Sequence, residues 1–481
     1  MASRANNVDV LFIQKYIFAY ASVMALSGYI KKFGYSADII IESVEEKNKF
    51  INLIRAIKPK IIAFSLMSTD HKWFMDILKE IRTIEFERKP LIIVGGCHAI
   101  LYYEDLLKST DIDMASIGEG EITLLQIIKY YNGEIAKDEI TGIAYLEDGN
   151  TKINRAKVLV DVNSFNEDRD IYYSKYNVLS KMSIKVFFSS RGCPFRCKFC
   201  VNGYLLDNCY DRLKNIRQKD VPFFINEVKK VKERYGFEFA YFADDLFVLN
   251  KKWIHDFSEL YQKERGSPFM ITCRVDLLSD ELVKALSRAG CFSITCGVET
   301  GNEHMRRFLL NKDLSNEQIE KAVKIVKRHG ILCQTSNMFC LPDETIADAI
   351  ETVNFNIKIG TSFSMSSIYM PFPKTDLAEY CIEKGYLDPS FSYEDIPVSF
   401  ISKSVLKLKD KDIIANIQKV SSLAIQYPKL KNILIILAKY LNIYYFHMIL
   451  FLIGVMCRFK KERNTSWIKT IIYMWSYRKS V

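Results

Sequence analysis

The sequence predicts an α/β chain in three parts: a doubly wound parallel sheet, a second run of six strand–helix units, and a helical tail. Three observations carry this. Short apolar runs alternate with helix-length amphipathic stretches through the first quarter of the chain, the pattern of a parallel sheet covered by helices. The same alternation resumes after a cysteine-bearing loop at 193–200. From Ile401 onward the chain turns strongly basic around an uncharged apolar run. Of the 481 residues, 49% are hydrophobic, enough for a large core and against disorder. The expected bounds are 1–154 for the first domain, 155–183 for a linker, 184–400 for the second domain and 401–481 for the tail.

In the first part, Val8–Ile13, Ala37–Ile41, Lys60–Ser65, Pro90–Val94 and Met114–Ile117 read as strands, with helical stretches such as Lys72–Arg82 between them. Doubly wound sheets bind ligands beyond the C-terminal ends of their strands. Three patches of small residues stand there: Ser65-Leu66-Met67-Ser68-Thr69, Gly95-Gly96-Cys97-His98-Ala99 and Gly118-Glu119-Gly120-Glu121. Glycines at such ends let the backbone approach a flat ligand closely. Gly142–Leu146, the Asp148-Gly149 turn and Thr151–Asn154 form a hairpin pattern. Arg155 to Ser183 reads as irregular.

The second part opens with a strand at Ile184–Ser189 and the run Ser190-Arg191-Gly192-Cys193-Pro194-Phe195-Arg196-Cys197-Lys198-Phe199-Cys200. Three thiolates on one short loop can hold three irons of a four-iron, four-sulfur cluster, which ordinarily takes four protein ligands. No fourth cysteine follows in the loop, so one iron stays open to a substrate or cofactor. Zinc prefers four protein ligands, commonly as two spaced pairs, so a structural zinc site is the weaker reading. Five more strands follow: Glu238–Phe242, Phe269–Cys273, Cys291–Cys296, Ile331–Phe339 and Ser364–Tyr369. Polar or glycine-bearing turns end them: Ala243-Asp244-Asp245, Arg274-Val275-Asp276, Gly297-Val298-Glu299-Thr300-Gly301, Cys340-Leu341-Pro342-Asp343 and Pro371-Phe372-Pro373-Lys374. Barrel enzymes keep their chemistry at these ends.

The cysteine loop after a strand, with these strand ends in this order, resembles the radical S-adenosylmethionine (SAM) superfamily. The three small-residue patches upstream resemble the cobalamin-binding domain that precedes many of its members. The resemblance implies a partial (β/α)6 barrel, a 4Fe-4S cluster on Cys193, Cys197 and Cys200, and SAM bound at the open iron and cleaved to a 5'-deoxyadenosyl radical. It implies contacts to SAM from Phe199, Asp244, Arg274 and Glu299, with Asp245 near the same pocket. It implies cobalamin at Ser65, Ser68, Thr69, Gly95, Gly96, His98, Gly118, Glu119 and Gly120. The Asp-x-His-x-x-Gly motif that supplies an axial histidine in many cobalamin domains is absent, so that face of cobalt is expected to lack a protein histidine. A lone histidine such as His98 or His71 is more often structural. At two strand ends the family has glycine where this chain has Cys340, Asp343 and Lys374. The implied reaction is methyl transfer to an unactivated carbon or radical cyclisation of an apolar substrate, served by an electron donor such as flavodoxin or ferredoxin. The alternatives are a radical SAM transferase whose first domain only scaffolds, and a cluster-bearing redox sensor.

Charge separates the tail from the rest. Residues 401–481 hold 15 Lys and Arg against 3 acids, a net of +12, which leaves the preceding residues at −2. A body of that charge offers no nucleic-acid groove and argues against a tRNA substrate. Tyr440–Cys457 is uncharged and apolar, flanked by Lys439 and Arg458. As one straight helix it would span about 27 Å, just short of a bilayer core. It is open to three readings: a buried packing helix, an interfacial helix or hood over a lipid-like substrate, or a span. Trp467, Trp475 and Tyr477 would suit a headgroup interface. No signal peptide is legible at the N-terminus, so a cytoplasmic location is expected, with peripheral membrane contact through the tail as its variant. Reduced thiols there suit the twelve cysteines.

Overall fold

A computed structural model describes residues 7–45, 47–209, 216–397, 399–401 and 403–462. Two parallel sheets dominate. The first contains β1 (Val10–Gln14), β2 (Ala37–Ile41), β3 (Ile61–Ser65), β4 (Leu91–Gly95), β5 (Met114–Ser116), β6 (Ile143–Glu147) and β7 (Asn150–Asn154). Its order is β2-β1-β3-β4-β5-β6-β7; the first five strands are parallel and the hairpin β6–β7 extends the edge antiparallel. Helices α1 (Ala21–Lys31), α2 (Lys47–Ile57), α3 (His71–Arg82), α4 (Cys97–Ser109) and α5 (Glu121–Tyr131) cover the two faces. Period-2 alternation decides which residue faces which layer. Leu11, Ile13, Ile40, Ile62, Phe64, Ile92 and Val94 pack with Phe50, Ile54, Phe74, Ile77 and Leu106 of α2, α3 and α4. Val10, Phe12, Ile39, Ile41, Ile61 and Ala63 turn the other way, toward α1 and α5.

The stretch expected as an irregular linker holds two short helices, α6 (Asp170–Tyr173) and α7 (Asn177–Ser180). Ile171, Tyr172, Tyr173, Tyr176 and Leu179 are buried and merge the core of the first sheet with that of the second. Tyr172 donates its hydroxyl to Gln14 Oε1 at 2.6 Å, and Arg169 donates to Val186 O at 2.7 Å. The segment therefore cements the two domains.

The second sheet contains β8 (Ile184–Phe187), β11 (Phe239–Phe242), β12 (Phe269–Cys273), β13 (Cys291–Glu299), β14 (Leu332–Phe339) and β15 (Phe363–Ile368), all parallel in sequential order. Between the first two lie a small antiparallel ribbon, β9 (Ser190–Arg191) with β10 (Arg217–Gln218), and helices α8 (Val201–Asn208) and α9 (Val221–Tyr235). Helices α10 (Lys251–Lys263), α11 (Asp280–Arg288), α12 (Asn316–Arg328), α13 (Ile346–Ile359) and α14 (Asp376–Glu383) complete the units. Local signals fix their ends. Ser315 and Thr345 begin α12 and α13 in capping boxes, and Gly360 ends α13 at φ 68°; each such cap stabilises by ~1 kcal/mol.

The tail departs from a single apolar helix. It forms α15 (Lys411–Gln426), α16 (Lys431–Tyr440) and α17 (Tyr444–Glu462). Ile414, Ile417, Val420 and Ala424 of α15 pack against Phe339, Val353 and Ile368, so α15 covers the open edge of the half-barrel. Of the apolar run Tyr440–Cys457, residues 444–457 lie in α17, and among the described residues no helix is long and apolar enough to cross a membrane. Trp467, Trp475 and Tyr477 lie outside the described residues.

Candidate active site

The cysteine loop leaves β8 at the C-terminal edge of the half-barrel. Gly192, at φ 90°, makes the turn that aims Cys193. Backbone bonds then pin the loop: Lys198 N donates to Leu310 O and Leu377 N to Lys198 O, both at 3.0 Å, and Cys200 N to Cys197 O at 2.9 Å. The three thiols are partly exposed and free. Burial raises all three from their ordinary range, Cys200 to about 12, so metal binding must displace their protons. Among the described residues no three metal-ligating side chains converge on one ion position. Three free thiols on one short loop fit a cluster with one iron free of cysteine.

The other strand ends face this loop. The Arg274 guanidinium lies 3.8 Å from the Phe195 ring centre and is held by Asp276 at 3.0 Å. Arg274 and Lys312 both offset the rise in the Cys197 thiol. Lys312 donates to Glu299 Oε1 at 2.6 Å, both buried. Glu299 holds φ 67°. A Cβ on Gly297 would meet its carboxylate oxygen at 2.2 Å and Lys312 Nζ at 2.5 Å, so that glycine makes room for the ion pair. The buried Arg306 shapes the same turn by donating to Val298 O at 3.1 Å, Thr300 O at 2.9 Å and Leu314 O at 3.0 Å. Phe199 packs against the buried cluster that holds Met305, Leu310, Leu341 and Leu377.

Asp244 takes a different part from the expected SAM contact. It is wholly buried, and its Oδ1 accepts from Ser189 Oγ at 3.0 Å and from both the backbone and hydroxyl of Ser190. It braces the end of β8. Its neighbour Asp245 is the carboxylate whose field reaches Cys193 and Cys200. The departures from glycine have a common geometry: Cys340, Asp343 and Lys374 keep φ of 58°, 63° and 67°. The left-handed turns are retained and other residues bear their strain. Asp343 is also tied down by the Tyr380 hydroxyl at 2.6 Å and by Tyr386.

In the first domain a cavity of about 340 Å³ opens between the C-terminal ends of the first sheet and the start of the cysteine loop. Phe12, Ala63, Ile93, Leu124 and Ile127 give it an apolar floor; Ser65, Gly95, Gly96, Gly118, Glu119 and Gly120 form its polar wall, with Ser190 and Arg191 opposite. Gly96 and Gly118 take φ of 88° and 98°. A Cβ on Gly96 would meet Leu66 O at 2.6 Å, whereas one on Gly95 would make only ordinary contacts, the nearest at 3.6 Å. The Ser116 hydroxyl lines the cavity, buried and without a protein partner. A flat, mostly apolar group with a polar edge fits this site, as the planar parts of cobalamin would.

Ser68, Thr69 and His98 do not line that cavity. His98 is 0% exposed, within 3.0 Å of His71 Nδ1 through its Nε2 and 3.3 Å from Ser68 Oγ. Burial and the neighbouring His71 push it down to about 3. Rings of His71, Tyr102 and Tyr393 surround it. Its ring nitrogens face His71 and Ser68, which departs from the cobalamin contact expected of it.

Comparison with known proteins agrees with this geometry. The Radical SAM superfamily profile matches residues 187–355 and the B12 binding domain profile residues 16–128. The chain belongs to the radical SAM enzymes that carry a B12 binding domain. The first profile goes with a 4Fe-4S cluster and SAM, the second with cobalamin. An uncharacterised methyltransferase of Pyrococcus horikoshii is 27% identical over 72% of this chain and 75% of its own length. The anaerobic magnesium-protoporphyrin IX monomethyl ester cyclase of Cereibacter sphaeroides is 26% identical over 74% of this chain and 59% of its own length. Two solved structures share the fold. The radical SAM methyltransferase TsrM from Kitasatospora setae has a TM-score of 0.65 at 14% identity, covering 79% of this chain and 76% of its own. The cobalamin-dependent SAM radical enzyme OxsB has 0.63 at 21%, covering 79% of this chain and 55% of its own.

Proposed function

We propose that this chain transfers a methyl group to an unactivated carbon of a small-molecule substrate, using Cys193, Cys197 and Cys200 as the only protein ligands of its cluster. The observation that carries the reading is the cavity of the first domain, which opens directly onto the strand that begins the cysteine loop. When bound, the cluster supplies the electron that splits SAM, and cobalamin supplies the methyl-bearing cobalt. This chain's residues hold and orient. Arg274 is placed to pair with the carboxylate of SAM, and Glu299 and Asp245 to accept from its amino or hydroxyl groups. Lys312 holds Glu299 in place through its 2.6 Å hydrogen bond. Gly95, Gly96, Gly118 and Gly120 leave room for the flat faces of the corrinoid.

An oxygen-sensitive enzyme of the cytoplasm, fed by flavodoxin or ferredoxin, follows from this chemistry. The domain bounds 1–154, 155–183, 184–400 and 401–481 are part of the same reading. So is contact with an anionic membrane or a lipid-like substrate, supported by the exposed Ile433, Ile436, Tyr440, Tyr445 and Ile449 beside Lys429, Lys431 and Lys439. Radical cyclisation is the second reading, favoured by the likeness to the cyclase.

The test is anaerobic reconstitution with iron, sulfide, hydroxocobalamin and SAM. About four irons and one corrinoid per chain are expected, with 5'-deoxyadenosine as product. The triple Cys→Ala variant should lose the iron and the product while still binding corrinoid. Retained SAM cleavage in that variant overturns the cluster assignment.

A further inference from the structure

The ribbon β9–β10 sets two arginines directly opposite each other: Arg191 and Arg217 are Cα partners in its register. Like charges so placed repel, and nothing within the ribbon compensates them. The compensation comes from the other domain. Arg191 donates to Glu121 Oε1 at 2.6 Å and lies 3.2 Å from Glu119 Oε2; Arg217 donates to Glu119 Oε2 at 3.0 Å and grips its second oxygen as well. A further bond from Arg217 to Val160 O, at 2.6 Å, anchors the group to the linker. Two cations and two anions thus form a neutral square bonded along three sides, from Glu121 through Arg191 and Glu119 to Arg217. Glu121 is only 5% exposed and Arg191 28%, so the square is largely shielded from solvent.

Its position gives it a use. Glu119, Glu121 and Arg191 line the cavity of the first domain. Arg191 is also two residues ahead of Cys193, joined to it through Gly192. One guanidinium therefore touches both the corrinoid cavity and the stem of the cluster loop.

We propose that Arg191, Arg217, Glu119 and Glu121 are positioning residues that couple occupancy of the corrinoid cavity to the conformation of the cluster loop. A ligand in the cavity displaces water from the square, and the attraction between its charges strengthens as the local dielectric falls. The bonded square gains over a parted one, which is the differential interaction a coupling requires. Coupling is reciprocal: the cluster loop in its ordered form also improves corrinoid binding. The proposal rests on the cobalamin reading above.

The experiment uses full-length protein reconstituted with iron and sulfide, with and without hydroxocobalamin. Two readouts are taken: the rate at which a chelator strips iron, and hydrogen exchange of residues 189–200. In the unaltered protein, hydroxocobalamin should slow iron loss by roughly five- to tenfold and protect the loop. In Glu121→Gln and in Arg217→Gln the slowing should shrink below about twofold, with iron still loaded and hydroxocobalamin still bound within about tenfold of the unaltered affinity. The double variant should lose no more than either single one, because the four groups act together. A purely structural square would accelerate iron loss equally with and without hydroxocobalamin. Variants that keep the full slowing, or an unaltered protein that binds hydroxocobalamin with no slowing at all, overturn the coupling. An unaltered protein that binds no hydroxocobalamin overturns the cobalamin reading itself and removes the coupling with it. Should one variant fail to fold, the other and the unaltered protein still decide.

Discussion

Two neighbouring glycines illustrate what a residue does here. A side chain at Gly95 would enter the cavity with its Cβ in ordinary contact, whereas one at Gly96 would strike the Leu66 backbone at a positive φ. Gly95→Leu is expected to lower hydroxocobalamin affinity at least about tenfold, ~1.4 kcal/mol, while the thermal midpoint stays within a few degrees. Gly96→Ala should destabilise the whole chain by ~1–3 kcal/mol. Equal corrinoid binding by Gly95→Leu and the unaltered protein would remove the cavity from the cofactor site. Glu344 shows the effect of burial on charge. It accepts from Leu341 N at 3.0 Å, its other oxygen has no partner, and desolvation lifts it to about 8. The folded state therefore keeps a proton that the unfolded chain sheds above about 4.5. Stability is greatest below that pH and declines as pH rises toward 8, by at most ~1.4 kcal/mol per pH unit. Glu344→Gln should flatten the pH dependence of the melting temperature between 5 and 8; an unchanged slope would count against the buried acid.

At the scale of elements, the strands were legible because each is an apolar run of the right length with a turn behind it. Ala37–Ile41 and Phe269–Cys273 fall where the pattern puts them, and β13 runs three residues past its expected end because Gly297 and Glu299 still pair with β14 across an irregularity in register. The cysteine loop was equally legible, since its three thiols lie within eight residues of one another. What the sequence concealed depends on contacts between distant residues. Lys312 meets Glu299 only because the turn braced by Arg306 folds back. Asp244 and Asp245 are adjacent, and only the path of β8 decides which one is buried behind the serines. His98 looked like a cofactor residue from its glycine-rich setting; its enclosing ring Tyr393 is nearly three hundred positions away. The tail's apolarity was clear, but its division between burial and exposure was not. Since α15 covers Phe339, Val353 and Ile368, truncation after Ser399 should yield insoluble protein. A soluble truncated chain with its cluster intact would make the tail dispensable to the half-barrel.

For the whole molecule, α16 and α17 present an unusual exterior. Tyr440 is 83% and Tyr445 79% exposed, with Ile433, Ile436 and Ile449 beside them. In a tail of net +12, each basic residue near an anionic surface contributes ~1 kcal/mol, screened by salt. Co-sedimentation with vesicles should rise with the fraction of anionic lipid and fall at high salt. Replacing Ile436, Tyr440, Tyr445 and Ile449 together by serine should abolish it without changing the melting temperature. Indifference of the full chain to anionic vesicles at low salt would dispose of membrane contact.

The aromatic and lysine contacts on α4 have a consequence for how the molecule is put together. Lys374, just past β15, donates to Leu101 O; Tyr102 reaches Pro373 O at 3.4 Å; and Tyr393 stacks its edge against His71 and His98. The last strand of the half-barrel thus returns to the domain from which the chain set out. A hinge needs a free side; among the described residues the linker holds one flank and these contacts hold another. The two halves form a closed loop of chain around the space between them. A bulky guest enters such a loop before the clasp shuts, or must wait for it to part, so corrinoid offered to the finished protein should load more slowly than corrinoid supplied during folding and reach the same one per chain.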